Sequence, residues 1–267
     1  MHPYETNIQE ALRNIEAEEG VRILYACESG SRAWGFPSQD SDYDVRFIYV
    51  RSTDWYLSID DKRDVIERPI NDLLDINGWD LRKALRLFRK SNPPLLEWLQ
   101  SPIPYLEQTS AASQIRGMSP LAFSPKSCMY HYLSMARGNF RMYLQNEEVR
   151  LKKYFYVLRP IFACGWIEEN GTMPPIAFDA LFESQIPAGG DLHAIIADLL
   201  SRKKAGDELD RGPQIAALNG YLEERIAHFE RSAVRVPVAG GGQSDCLSEL
   251  FRRTLREAWG TENAAFQ

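Results

Sequence analysis

Two aspartates one residue apart, Asp42 and Asp44, follow a Gly30-Ser31 pair after ten intervening residues, within Glu28-Ser29-Gly30-Ser31-Arg32-Ala33-Trp34-Gly35-Phe36 and Ser41-Asp42-Tyr43-Asp44-Val45-Arg46. Side chains along a strand alternate faces, so Asp42, Asp44 and Arg46 share one face. Val45, Phe47 and Tyr49 make the opposite, apolar face. Two carboxylates on a buried strand are costly unless a cation neutralises them. A divalent metal carrying a triphosphate suits that need, because Mg²⁺ prefers hard oxygen ligands. Two such ions clamp the attacking and leaving oxygens of a phosphoryl displacement. Gly30 lets backbone approach phosphate closely, and the Ser31 hydroxyl can bond a phosphate oxygen at the start of a helix. Arg46 is either the salt-bridge partner of the aspartates or, with metals bound, a holder of the triphosphate. Arg32 is a further candidate for the phosphates. An S-D-x-D surface turn would look similar in isolation; the Gly-Ser turn ahead of it favours the catalytic reading.

The elements that must position these residues follow from the pattern. Thr6-Asn7-Ile8-Gln9 reads as a capping box opening a helix to about Glu19, with Gly20 at its exit. Val21–Cys27 reads as a strand, the Gly30-Ser31 turn leads into a short helix to about Gly35, and Phe36–Asp40 is a loop. Tyr43–Val50 is the next strand. Asp54–Asp64 reads as irregular, and Val65–Arg68 and Leu73–Ile76 as short strands about a turn at Pro69-Ile70-Asn71. From Trp79 the period is helical: Leu81, Ala84, Leu85, Leu87 and Phe88 form a stripe. Arg82, Lys83, Arg86, Arg89 and Lys90 form a basic face, which is either simply solvated or an anion contact. Ser91-Asn92-Pro93-Pro94 stops that helix, and Leu95–Gln100 begins another that Pro102 and Pro104 break. Further helices are predicted over Met129–Leu144, Arg150–Trp166 with a kink or interruption at Pro160, Leu192–Lys204, Gln214–Arg231 and Ser244–Trp259. Gly240-Gly241-Gly242 reads as a hinge.

The string G-S-x(10)-D-x-D, set on strand–turn–helix–strand, resembles the polymerase-β nucleotidyltransferase superfamily. More narrowly, the chain is similar to the RNA-repair-pathway polymerase-β-like family (RlaP). Asn77-Gly78-Trp79-Asp80-Leu81-Arg82-Lys83, Ser91-Asn92-Pro93-Pro94-Leu95-Leu96-Glu97-Trp98 and Lys153-Tyr154-Phe155-Tyr156 carry the resemblance onward, from about Val21 to Glu169. It implies an α+β polymerase-β-type head, a small mixed sheet with helices, followed by an all-helical domain. The expected bounds are 1–101 for the head, 102–238 for the helical domain, and 239–267 for the glycine hinge and C-terminal helix.

The resemblance also implies transfer of a nucleoside monophosphate from an NTP to an acceptor hydroxyl, with two Mg²⁺ ions and pyrophosphate release. The superfamily takes a third carboxylate from a neighbouring strand. Asp75 suits that place best; Asp80, opening a helix, is its rival and Asp72 a third choice. Lys152, Lys153 and Tyr156 resemble the second-domain residues that close on the nucleotide, a lysine reaching phosphate and a tyrosine stacking on the base. A helix with a solvated basic side and a buried aromatic side, Arg159 included, would give the same pattern. The acceptor implied is an RNA 3′ end. A protein side chain or small alcohol, or a silent nucleotide-binding or antitoxin-like module, are the other readings; both retained aspartates favour the enzyme.

Composition sets outer bounds. At 267 residues and 44% hydrophobic, the chain buries a core as one large domain or two small ones. No apolar run approaches the roughly 20 residues that span a bilayer, and the N-terminus lacks a basic and an apolar signal region, so a cytoplasmic protein without membrane partners is expected. A net charge of −6 provides no protein-wide field for nucleic acid. RNA contact must therefore use local basic patches. Cys27, Cys128, Cys164 and Cys246 show no ligand spacing, nor do the four histidines; buried, reduced, inert thiols and no zinc site are expected.

Overall fold

The computed structural model describes residues 3–38, 41–70, 73–207, 209–236 and 244–260. Asp72, Asn71 and the glycine run at 240–242 lie outside the described residues. The chain divides into two units, one of residues 1–30, 42–122 and 241–267, the other of 31–41 and 123–240.

The first unit is built from α1 (Pro3–Glu19), β1 (Arg22–Glu28), α2 (Gly30–Ala33, which begins in it), β2 (Tyr43–Val50), α3 (Thr53–Tyr56), β3 (Val65–Glu67), β4 (Leu74–Asp80), α4 (Leu81–Arg89), α5 (Pro93–Leu99), β5 (Pro104–Glu107) and α6 (Ala111–Ala122). Its five-stranded sheet has the order β3-β4-β2-β1-β5. Only β2 and β4 run parallel; the other neighbours are antiparallel. The sheet is therefore mixed, as expected. Along β2 the predicted alternation holds, with Val45, Phe47 and Tyr49 buried against Ile8, Leu12 and Ile15 of α1. On the other face Ile48 and Val50 are buried, so only its Asp44–Arg46 end keeps contact with solvent. Gly78 in β4 lies beside Phe47, and a β-carbon there would fall 2.1 Å from its ring. The glycine interrupts the strand's side-chain row so that the ring can lie across it.

Several boundaries differ from the sequence reading. The first helix begins at Pro3, whose fixed φ suits a first turn, so Thr6 is inside the helix. Residues 53–56 form a short helix capped by Ser52. The strand expected to end at Ile76 continues to Asp80, because β2 pairs with it residue for residue from Tyr43↔Leu74 to Tyr49↔Asp80. Helix α4 starts only at Leu81, with Asp80 as its N-cap. Pro104–Glu107 is an edge strand, so the head extends past residue 101 to Ala122.

The second unit contains α7 (Pro125–Tyr143), β6 (Glu148–Arg150), α8 (Lys153–Asn170), α9 (Phe178–Gln185), α10 (Asp191–Lys204), β7 (Arg211–Pro213) and α11 (Ala216–Ser232). It is helical, as expected, with one short ribbon, β6–β7, added. Helix α8 runs unbroken through Pro160. Proline has no N–H for the Tyr156 carbonyl, and Asn139 Nδ2 of α7 donates to that oxygen at 3.5 Å. Residues 31–41 are anchored here: the Phe36 ring packs on Phe155 and Phe178, and the Phe178 N–H donates to the Trp34 carbonyl at 2.9 Å. The last helix, α12 (Ser244–Trp259), returns to the first unit rather than standing apart. There the Trp259 indole donates to the Arg51 carbonyl and Ser110 binds the Glu257 carboxylate. No described helix is long and apolar enough to cross a membrane.

Candidate active site

Parallel pairing of β2 with β4 sets Asp44 directly beside Asp75. Arg46, two residues along on the same face, joins them: its Nη2 donates to Asp44 Oδ1 at 2.9 Å and to Asp75 Oδ2 at 2.8 Å. Its Nη1 donates to the Asp75 and Val45 carbonyls at 2.9 and 3.1 Å. All three side chains are half-buried, with 28, 31 and 17% of the Asp44, Asp75 and Arg46 side chains exposed. Asp42 is exposed just ahead of the strand and acts on Asp44 electrostatically. Burial is the largest influence on Asp44 and pushes its carboxyl above the usual aspartate range. Arg46 opposes the rise, and the charges of Asp75 and Asp42 add to it.

Gly30 completes the inner side of this cluster. It has φ +60°, and a β-carbon there would fall 2.0 Å from Asp44 Oδ2. The Ser29 N–H donates to the Asp44 carbonyl at 2.8 Å, tying the turn to β2. Glu28, fully buried at the end of β1, accepts the Asp44 N–H at 2.8 Å on Oε1, and Oε2 accepts the Tyr105 hydroxyl. The Ser101 hydroxyl donates to the Glu28 carbonyl at 2.6 Å. The sequence reading missed this buried acid. Its one signal was an acid closing an apolar strand immediately before the turn.

Asp80 is separate. It is 1% exposed, its Oδ1 accepts the Arg82 N–H at 2.8 Å and its Oδ2 accepts the Tyr56 hydroxyl at 2.6 Å. Burial pushes its carboxyl upward against both hydrogen bonds. It is a helix cap, whereas Asp75 adjoins Asp44.

Apart from the basic face of α4, the remaining candidates lie in the second unit. Ser31 is its first residue, and Arg32 Nη2 donates to the Ser41 carbonyl at 2.7 Å, closing the 31–41 loop. Lys152 precedes α8. Lys153 Nζ lies 4.4 Å from the Tyr143 ring centre and 4.6 Å from that of Tyr156. Burial, then Lys152 and Arg150, lower its pKa from the usual lysine value. Tyr156 remains exposed, whereas Tyr154 is buried and bonded to Asn219. Arg159 is buried with its guanidinium 4.6 Å over the Trp34 ring. The basic face of α4 divides: Lys83 pairs with Asp64 at 2.9 Å, while Arg86 and Arg89 are exposed.

Among the described residues, no three His, Cys, Asp or Glu converge as placed to hold a metal ion. The cluster suits Mg²⁺ in donor chemistry and charge. Asp44 and Asp75 supply hard oxygens on either side of the one Arg46 guanidinium, and exposed Asp42 adds its charge at Asp44, whose carboxyl is raised chiefly by burial.

Comparison with known proteins identifies the family. Residues 4–253 match the RNA repair pathway DNA polymerase beta family, RlaP. The chain is 52% identical over 252 residues to the uncharacterized protein YcgL of Bacillus subtilis (strain 168), covering 94% of this chain and 96% of that one. A nucleotidyltransferase-like protein from Exiguobacterium sibiricum 255-15 is a structural relative at 12% identity and TM-score 0.32, covering 94% of this chain and 80% of that one. The family match spans the turn, all three aspartates and both units, and on it the chain belongs to the RNA repair pathway DNA polymerase beta family and is a polymerase-β-type nucleotidyltransferase.

Proposed function

We propose that the protein moves a nucleoside monophosphate from an NTP to the 3′-hydroxyl of an RNA, in RNA repair in the cytoplasm. The observation that carries this is the register pair Asp44↔Asp75, with Gly30 against Asp44 and Arg46 between the carboxylates. Asp42, Asp44 and Asp75 would hold the metal ions. Bound Mg²⁺ neutralises phosphate charge and lowers the pKa of the acceptor hydroxyl.

The protein's own groups do the rest. Glu28 fixes the Asp44 backbone, so that this carboxylate is set before substrate arrives. Were the carboxylates to hold metal, the Arg46 fork would be free to bind a triphosphate oxygen. Gly30 brings backbone close to the phosphates, with Ser31 and Arg32 beside it in sequence. Lys152 and Lys153 contribute positive charge toward the triphosphate, and Tyr156 a ring for the base. The acceptor oxygen forms its bond to the α-phosphorus as the bond to pyrophosphate breaks, and its proton passes to a carboxylate oxygen of the cluster.

The test incubates purified protein with each labelled NTP, Mg²⁺, and an RNA with a free or a blocked 3′ end. Extension only of the free end is expected, abolished by Asp42→Ala and by Asp44→Ala. Label appearing on protein or a small alcohol, with no RNA extended, rejects the RNA acceptor and retains nucleotidyl transfer.

A further inference from the structure

We infer that the groove between α4 and α12 binds the phosphate backbone of an RNA strand. The cavity, of about 470 Å³, is lined by Arg82, Arg86 and Arg89 from α4 and by Ser244, Phe251 and Arg252 among the residues from α12. Both helices belong to the first unit.

The three α4 arginines sit at i, i+4 and i+7 and so share one helix face, successive heads about one turn or roughly 5.4 Å apart. Together they cover about 10 Å, a length suited to a row of phosphates rather than one. No lining residue is acidic. Arginines that served only to join two helices would face carboxylates across the groove. Here the facing helix presents two serines, Leu247, Phe251 and another arginine, in a chain whose net charge is −6.

The individual guanidiniums are available to different degrees. Arg82 is fixed over the Tyr56 and Phe251 rings, at 4.6 and 5.6 Å. Arg89 Nη1 donates to Ser244 Oγ at 3.0 Å. Arg252 pairs with Glu249, which also holds Arg256, on the exposed side of α12. Arg86 is exposed and makes no hydrogen bond or ion pair with another described residue. Arginine's planar fork matches phosphate oxygens, which makes a nucleic-acid backbone the fitting occupant.

The Arg82 end of the groove lies apart from the reacting carboxylates. Asp80, which caps α4, pairs with Tyr49, five residues along β2 from Asp44, a separation of about 17 Å along the strand. The groove therefore takes nucleotides upstream of the reacting end. That the strand is RNA rests on the proposed acceptor; the affinity for a row of phosphates rests on the groove.

The experiment measures binding of a fluorescent single-stranded RNA, about 12 nucleotides long, to the full chain by anisotropy over a salt series, without NTP or metal. Arg86→Ala combined with Arg252→Ala should weaken binding about tenfold or more at low salt. The slope of log affinity against log salt should fall by about 1.4, near 0.7 for each phosphate that an arginine no longer neutralises. Thermal melts should be unchanged, since both side chains are exposed, and Arg86→Lys alone, which keeps the charge, should retain most of the wild-type slope. Wild-type affinity and slope in the double variant would overturn the inference, as would a wild-type protein that binds no RNA. Displacement of RNA by inorganic triphosphate at equal phosphate concentration would also overturn it, in favour of a small-polyphosphate pocket. RNA bound through these arginines but never extended leaves the groove standing and counts against the proposed transfer instead.

Discussion

The carboxylate of Asp44 fills the space beside the Gly30 α-carbon, so that a β-carbon at residue 30 would fall 2.0 Å from Oδ2 and 2.8 Å from Cγ. Gly30 also has φ +60°, a backbone conformation that costs any L side chain about 1 kcal/mol or more. Gly30→Ala should therefore move Asp44 as well as strain the turn. Transfer is expected to fall about 100-fold, the scale of an ångström's misplacement of a reacting group. Single-turnover incorporation, set beside a urea melt of the same preparation, checks this. Wild-type turnover in that variant would show that Asp44 need not be held there.

Asp75 and Asp80 should separate activity from stability. Asp75→Asn is expected to reduce transfer by two orders of magnitude or more, on the scale of losing charge stabilisation at a reacting centre, with little change in melting. Asp80→Asn should leave transfer nearly intact. Its effect is on pH dependence: burial raises the folded-state pKa of Asp80, so the folded protein keeps that proton to higher pH than the unfolded chain does. Stability from this group is fully present below the unfolded value, about 3.9, and declines as pH rises toward the raised one. Urea melts across pH 4 to 7, in about half-unit steps, should show wild type losing ground to Asp80→Asn as pH increases. A pH-independent difference between the two would reject the linkage.

Glu28 should prove to be a positioning residue. Its truncation to alanine leaves the Asp44 N–H and the Tyr105 hydroxyl without their carboxylate acceptor. Each buried group left unsatisfied costs about 1–3 kcal/mol. Glu28→Gln keeps an oxygen for the Asp44 N–H and should recover part of that loss. Denaturant melts give the ordering; equal stability in all three proteins would remove Glu28 from this role.

Thiol chemistry offers a check on the packing. Burial pushes the Cys27 thiol up to about 12 and raises Cys164 as well, and Cys128 is buried. Cys246, on α12, is exposed, contrary to the expectation of four buried thiols. Under native conditions one thiol should react rapidly with a disulfide reagent, and Cys246→Ser should abolish that phase. Fast reaction of two or more thiols would mean that the cores open.

The sequence was most legible where one period dominates. Strand β2 shows apolar residues alternating with Asp44 and Arg46, and its bounds agree residue for residue with the reading. Helix α12 likewise appears in full. Strand β5 was missed because it is short, lies at an edge and begins with a proline, which reads locally as a breaker. The helical pattern from Trp79 misled because Trp79 and Asp80 complete a strand whose partner is far away in sequence; only pairing with Ile48 and Tyr49 decides it. The G-S and D-x-D strings located the cluster. Nothing local indicated that Glu28 supports Asp44, or that Arg32 closes a loop, since both depend on the register of distant segments. Long-range pairing is the information that periodicity lacks.

The course of residues 31–41 decides what each unit is made of. The chain leaves the first unit directly after Gly30 and re-enters it at Asp42, and between them Phe36 packs on the rings of Phe155 and Phe178 in the second. A fragment beginning at residue 123 therefore lacks a ring that its own core packs around, so a cut drawn at a single point in the chain does not yield two self-contained pieces.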